Sequence, residues 1–196
     1  TVQQQAFLIP YSRRVRDGDQ WVTVYDCQFQ VGARGFVTLA YRNQRVRRLF
    51  AEAIHGGDRF EHQLGSGAFL RYAKALSGRG DLVGAFSYVE LTDGSELACV
   101  LPLDEIEKIR GKSETYRSLL RNVEAAGGFP AEASTERPSK ELAAALRSFF
   151  DQPWVLWADD MAAKSAIKKH AKQLPVAAND ALAAAAELDD LGENRT

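Results

Sequence analysis

LVGAFSYVEL-TDGS-ELACVL, residues Leu82 to Leu101, is the stretch that decides the fold. Two apolar runs of strand length flank Thr92-Asp93-Gly94-Ser95, whose Asp and Gly supply turn conformations, so the segment reads as a β-hairpin. Upstream, Ala6–Tyr11 and Trp21–Val31 read as a second hairpin. Its second strand alternates Trp21, Thr23, Tyr25, Cys27, Phe29 and Val31 on one face, and the polar segment Arg13–Gln20, with Asp17-Gly18 inside it, forms the turn. Gly32-Ala33-Arg34-Gly35 opens a helix to about Arg42, Val46–His55 is a strand, and Gly56-Gly57-Asp58 turns the chain into Arg59–Leu64. Downstream the pattern changes. Pro102-Leu103-Asp104-Glu105 starts a short helix that ends near Gly111, and residues Tyr116–Asp151 form two helices separated by Gly127-Gly128-Phe129-Pro130 and a polar loop. Gln152–Leu174 reads as one long helix, with Pro153 tolerated in its first turn and Pro175 as its stop. Strands first and helices later predict an α+β fold: an antiparallel, hairpin-containing sheet packed on helices, in one domain over residues 1–175. Residues 176–196 form an acidic, Ala-rich tail that is helical at best.

Composition narrows the function classes. With 196 residues, 45% hydrophobic and 10% aromatic, the chain can bury a core. No apolar run reaches the ~18 residues of a membrane span, which predicts a soluble, cytoplasmic protein without membrane contact. The chain starts without Met on a strand-like run, which predicts that further sequence precedes it. Cys27 and Cys99 form no CxxC pair, and His55, His62 and His170 have no HxxxH or HExxH spacing, so no metal site is expected. Gly111-Lys112-Ser113 looks like the end of a P-loop, but Ile106 stands where the motif needs Gly, and the segment follows a helix. Asp159 and Asp160, with Asp151 nearby, suggest a metal-dependent nuclease. Adjacent carboxylates on a helix diverge by about 100°, however, and acids early in a helix already suit its dipole. No GxSxG elbow and no Cys–His pair is present, so no catalytic residue is assigned.

Charge is informative by position, not by sum. The net charge is −1. Arg13, Arg14, Arg16, Arg34, Arg42, Arg45, Arg47 and Arg48 face only Asp17, Asp19 and Asp26 over the same stretch. Lys164, Lys168, Lys169 and Lys172 form a second basic run, and the sign reverses after Pro175. Two basic clusters with an acidic tail point to a polyanion site for which the tail could compete. Counted at about 100° per residue, Trp154, Trp157, Met161, Lys164, Lys168 and Lys172 share one stripe of the long helix, while Leu156, Ala163, Ile167 and Leu174 share another. Lysines supply phosphate contacts. Spacing alone leaves the two tryptophans open between stacking bases and packing in the core.

Pro153-Trp154-Val155, Met161-Ala162, Lys164-Ser165-Ala166-Ile167-Lys168-Lys169, Lys172 and Leu174-Pro175 together resemble the C-terminal core signature of the RecT recombinases of phages and prophages. Ala6–Tyr11 resembles that family's first core strand, Val31–Phe36 followed by Leu39-Ala40 its strand-to-helix junction, and Gly57-Asp58-Arg59-Phe60-Glu61 its central hairpin. The resemblance implies the α+β core of the single-strand annealing superfamily and ATP-independent annealing of complementary strands in phage-type homologous recombination. Implied partners are single-stranded DNA, the annealed duplex intermediate, further copies of the chain in a ring or filament, and an exonuclease that generates the strand. It implies no cofactor; magnesium could accompany DNA, but no residue pattern requires it. Carried over by position, the DNA-binding residues are Lys164, Lys168, Lys169, Lys172, Arg34 and Arg42, then Arg45 and Arg47, with Trp154 inside the motif. Residues 116–151 are then a helical insertion, and the family's N-terminal helical region is absent. The alternatives are a nucleic-acid-binding scaffold that does not anneal, and the metal-dependent nuclease.

Overall fold

A computed structural model describes residues 5–128, 138–174 and 181–193. Strands β1 (Ala6–Asp17) and β2 (Gln20–Val31) pair antiparallel, from Ala6 opposite Val31 to Asp17 opposite Gln20. Gly18-Asp19 joins them, with Gly18 at φ +60°. The polar residues Arg13–Asp17, expected in a turn, instead extend the strand. Ladder hydrogen bonds are made by the backbone, so solvent-facing positions of a two-stranded ribbon accept arginine as readily as valine.

Helix α1 (Ala33–Arg42) follows at once and buries Gly35, Phe36 and Ala40. A side chain at Gly35 would collide with the Gln5 carbonyl oxygen and with Val31, so the junction Val31–Phe36 requires glycine there. A three-stranded sheet, in the order β3–β6–β7, is formed by β3 (Val46–His55) and the hairpin read first from sequence. A two-stranded pair, β4 (Arg59–Gln63) and β5 (Phe69–Ala73), precedes that hairpin, β6 (Leu82–Leu91) and β7 (Glu96–Pro102). Strand β5 was not anticipated; five residues interrupted by Arg71 carry little periodicity. Helices α2 (Leu103–Arg110), α3 (Glu114–Ala125) and α4 (Lys140–Phe150) come next, the last two capped by the Ser113 and Ser139 side chains. The polar loop and Phe129-Pro130 lie outside the described residues, as does the expected stop at Pro175.

The long helix expected over Gln152–Leu174 is two helices. Helix α5 (Pro153–Leu156) ends at Trp157, whose backbone leaves the helical region (φ −124°, ψ 42°), and α6 (Ala158–Ala171) starts afresh. Its first turn carries Asp159 and Asp160, a helix-start signal that the sequence contained. The break resets the angular count, so Trp154 and Trp157 do not share a face. Helix α7 (Ala181–Glu193) closes the description.

By its contacts the chain forms two compact units, whose boundaries fall within β3, β6, β7 and α6. The first comprises Thr1–Phe50, Ser87–Cys99 and Ile167–Thr196; there α7 packs on β2 and α1. The second comprises Ala51–Phe86 and Val100–Ala166. Its core joins Ala85, Leu101, Ile106, Trp154, Ala162 and Ala166. In the same unit Phe60 and Tyr72, opposed across β4 and β5, both rest on Phe86, with ring centroids 5.4 and 5.0 Å away.

His170 is buried in the first unit, with Nδ1 3.0 Å from the Ser87 hydroxyl. Desolvation pushes its pKa down to about 4. Unfolded, the imidazole takes up a proton below about pH 6.5. The unfolded state therefore binds more protons between those values, and stability falls as pH drops through that window, levelling below it. We expect the melting temperature to be lower at pH 5 than at pH 7, and His170→Gln to flatten that dependence in thermal denaturation.

Candidate nucleic-acid interface

Most of the cationic residues named from sequence belong to the first unit: Arg34, Arg42, Arg45, Arg47, Lys168, Lys169 and Lys172; Lys164 belongs to the second. Arg34 and Arg42 sit on α1, two turns apart, and both are exposed. The buried side of that helix, Phe36 and Ala40, anchors it, so the arginines are carried on a fixed support. Thr38 helps: its hydroxyl donates to the Arg34 carbonyl at 2.8 Å and accepts from Gln5 Nε2 at 3.2 Å. Arg45 occupies the turn before β3; its N–H donates to Asn43 Oδ1, and its carbonyl accepts from Thr92 N–H. Arg47 and Arg48 both approach Glu90, at 2.8 and 3.9 Å. Both guanidiniums are largely solvated, while the Glu90 carboxylate they share is 17% exposed.

Arg42 also borders a cleft of about 300 Å³, lined by Phe29, Gly35, Leu39, Ala184 and Leu188 among others. Among the described lining residues it is the one charge.

Two residues on the sequence-derived DNA list turn out to be engaged elsewhere. The Lys168 side chain is 12% exposed, and its Nζ lies 3.1 Å from Asp189 Oδ2. Asp189 is fully buried, and its Oδ1 accepts the Val31 N–H at 2.9 Å. The pair ties α6 to α7 and to the end of β2. Lys168 therefore answers a carboxylate of its own chain, whereas Lys172, just past α6, is exposed. Trp154 is 7% exposed within the second unit's core, which settles packing over stacking; Trp157 is 57% exposed.

The second unit contains a polar cluster that sequence reading missed. Asp58, in the Gly57–Glu61 motif, has a fully buried side chain. Its Oδ1 accepts from Ala75 N–H (2.9 Å) and Arg79 Nε (3.0 Å); its Oδ2 accepts from His55 N–H (2.9 Å), Arg79 Nη2 (2.7 Å) and Tyr72 OH (3.3 Å). The Arg79 guanidinium, above all, holds the Asp58 carboxyl far below the usual carboxylate range. Arg79 donates further to the Ala53 carbonyl at 3.0 Å and to Asp159 at 3.4 Å, and Asp159 also meets His55 Nε2 at 3.0 Å. Asp58 was visible in its motif, but nothing in the sequence marked Arg79, twenty-one residues away, as its partner. Asp159, the residue behind the nuclease alternative, is committed to this network. Among the described residues no three His, Cys, Asp or Glu side chains gather as a metal-holding group.

Removing one member of a buried ion pair strands the other and costs about 3–5 kcal/mol. Asp58→Ala should therefore destabilise the protein by about that amount in chemical denaturation, whereas Arg47→Ala, which removes a largely solvated guanidinium and leaves Arg48 beside Glu90, should cost under about 1 kcal/mol.

No helix among the described residues is long and apolar enough to cross a membrane. No curated protein matches the chain. The family model described as RecT family matches residues 1–196, the whole length, and the chain belongs to the RecT family.

Proposed function

We propose that this chain binds single-stranded DNA and anneals it to a complementary strand without ATP, in phage-type homologous recombination. Membership of the RecT family over the whole chain carries the reading. The exposed cations of the first unit support it, because annealing needs phosphates neutralised and base edges left free to pair. Arg34 and Arg42 on α1, Arg45 and Arg47 around the start of β3, and Lys169 and Lys172 at the end of α6 are the proposed phosphate contacts, with Lys164 in the second unit. The protein works without covalent chemistry and without a cofactor of its own. It acts in the cytoplasm as a homo-oligomer on the strand, supplied by an exonuclease that exposes single-stranded DNA.

Mixing complementary oligonucleotides, one carrying a fluorophore and the other a quencher, without nucleotide tests the reading. The expected result is annealing well above the spontaneous rate. Binding without acceleration would leave a scaffold that holds nucleic acid and does not anneal. Arg34→Ala with Arg42→Ala should weaken binding and reduce the slope of log affinity against log salt by about 1.4, at roughly 0.7 per single-strand phosphate contact. An unchanged slope would place the strand elsewhere.

A further inference from the structure

The β1–β2 ribbon presents its large rings to solvent. Directly paired residues of an antiparallel ribbon share a face, so the register sorts its side chains. One face carries Leu8, Arg14, Arg16, Trp21, Tyr25 and Phe29; the other carries Phe7, Arg13, Asp17 and Asp26. Trp21 is 66% exposed and Tyr25 72%, and the described side chains of the ring face are exposed from Leu8 out to the turn. The opposite face, with Ile9, Val15, Val24 and Gln28 half-buried, is the less exposed of the two. A soluble domain does not ordinarily leave its ring-bearing face the more open one.

Helix α7 covers only the base of the ring face, where Ala6, Phe29 and Val31 border the cleft with Ala184, Ala185 and Leu188. Beyond that the face changes character. Rings recur every four residues, about 13 Å apart along the strand, and they alternate with cations: Arg16 is paired opposite Trp21, and Arg14 opposite Thr23. Arg16 leans toward the turn, donating to the Gly18 carbonyl at 3.1 Å. No acid lies on this face within the strands; Asp17 and Asp26 are on the other side, where Asp26 holds Arg13.

From this placement we infer that the ring face of the β1–β2 ribbon is a stacking surface for single-stranded nucleic acid, with Trp21 and Tyr25 each taking a base and Arg14 and Arg16 taking phosphates. The inference rests on the proposed function and deepens it by naming where bases are held. A second protein copy is the poorer occupant, because covering Arg14 and Arg16 would desolvate two cations, of which Arg16 meets only the fully solvated Asp19 of the turn at 3.6 Å and Arg14 faces no acid of the strands on this face. A single strand brings a phosphate for each cation and a π-face for each ring. An isolated two-stranded ribbon is marginal in water, so an occupant would also steady its outer half.

The test uses the full chain and fluorescein-labelled oligo(dT), with affinity read by anisotropy over a range of salt. Trp21→Ala with Tyr25→Ala should weaken binding about tenfold or more and leave the salt slope unchanged. Trp21→Phe, which keeps a ring, should bind within about twofold of wild type. Arg14→Ala with Arg16→Ala should lower the slope by about 1.4. Circular dichroism checks that the variants fold. Tight wild-type binding with an unchanged affinity in Trp21→Ala/Tyr25→Ala would overturn the ribbon site and leave the proposed function standing. A change in assembly size by sedimentation, with DNA affinity intact, would also overturn it, by making the face an interface between copies. Absence of wild-type binding would overturn the function and the ribbon site together.

Discussion

The Asp58–Arg79 pair is the constraint on which the second unit depends. A carboxylate with no solvent of its own must find donors within the protein, and Asp58 finds them in two backbone amides, a phenol and the Nε–Nη2 edge of one guanidinium. Those donors come from the end of β3, from β5 and from the loop leading to β6, so satisfying one carboxylate fixes the path of three segments. Gly57 follows from the same geometry: a side chain there would lie 2.5 Å from the Gly78 carbonyl oxygen. The pair contributes little net stability compared with an apolar substitute of the same shape, but it is expensive to break, and that asymmetry is what makes a buried pair specify one arrangement.

The first unit uses the same device at its other end. The acidic residues after Pro175 look, in sequence, like a solvated tail that could compete with DNA. Asp189 is instead a buried acceptor that reaches both Val31 and Lys168 and seats α7 against the base of the ribbon. One charge read as a competitor and one read as a phosphate ligand are spent on each other. The cations that stay exposed, Arg34 and Arg42 on α1, Arg45, and Lys172 beyond α6, are among the proposed phosphate contacts. Arg47 and Arg48 lie between these cases, with solvated guanidiniums that share the mostly buried Glu90.

Aromatic residues divide along the same line. Trp154 lies within the family signature and fills the second unit's core, so its place in the motif reflects packing. Trp157 at the end of α5, by contrast, is exposed, and the β1–β2 ribbon carries exposed rings at Trp21 and Tyr25. Alternation in Trp21–Val31 assigned those rings to one face correctly. Alternation does not say what covers a face; here α7 covers its base and leaves the rest to solvent.

The sequence by itself determined the local structure. Turn chemistry at Thr92–Ser95 and at Gly18, the Gly32–Gly35 junction, and the family signature from Pro153 to Pro175 are contiguous signals, and local sequence is enough to read them. The break at Trp157 is not read from spacing: Trp154 to Lys172 fits one continuous helix, and Asp159-Asp160 read as acids within it although they open a second one. Only the tertiary structure decided which charges are ligands and which are struts. Arg79 meets Asp58 across twenty-one residues and Lys168 meets Asp189 across another twenty-one, and periodicity carries no information about such partners. Burial was decided at the same level. A lysine or tryptophan at the right helical angle is a binding residue only if nothing in its own chain reaches it first, and that depends on how the elements pack.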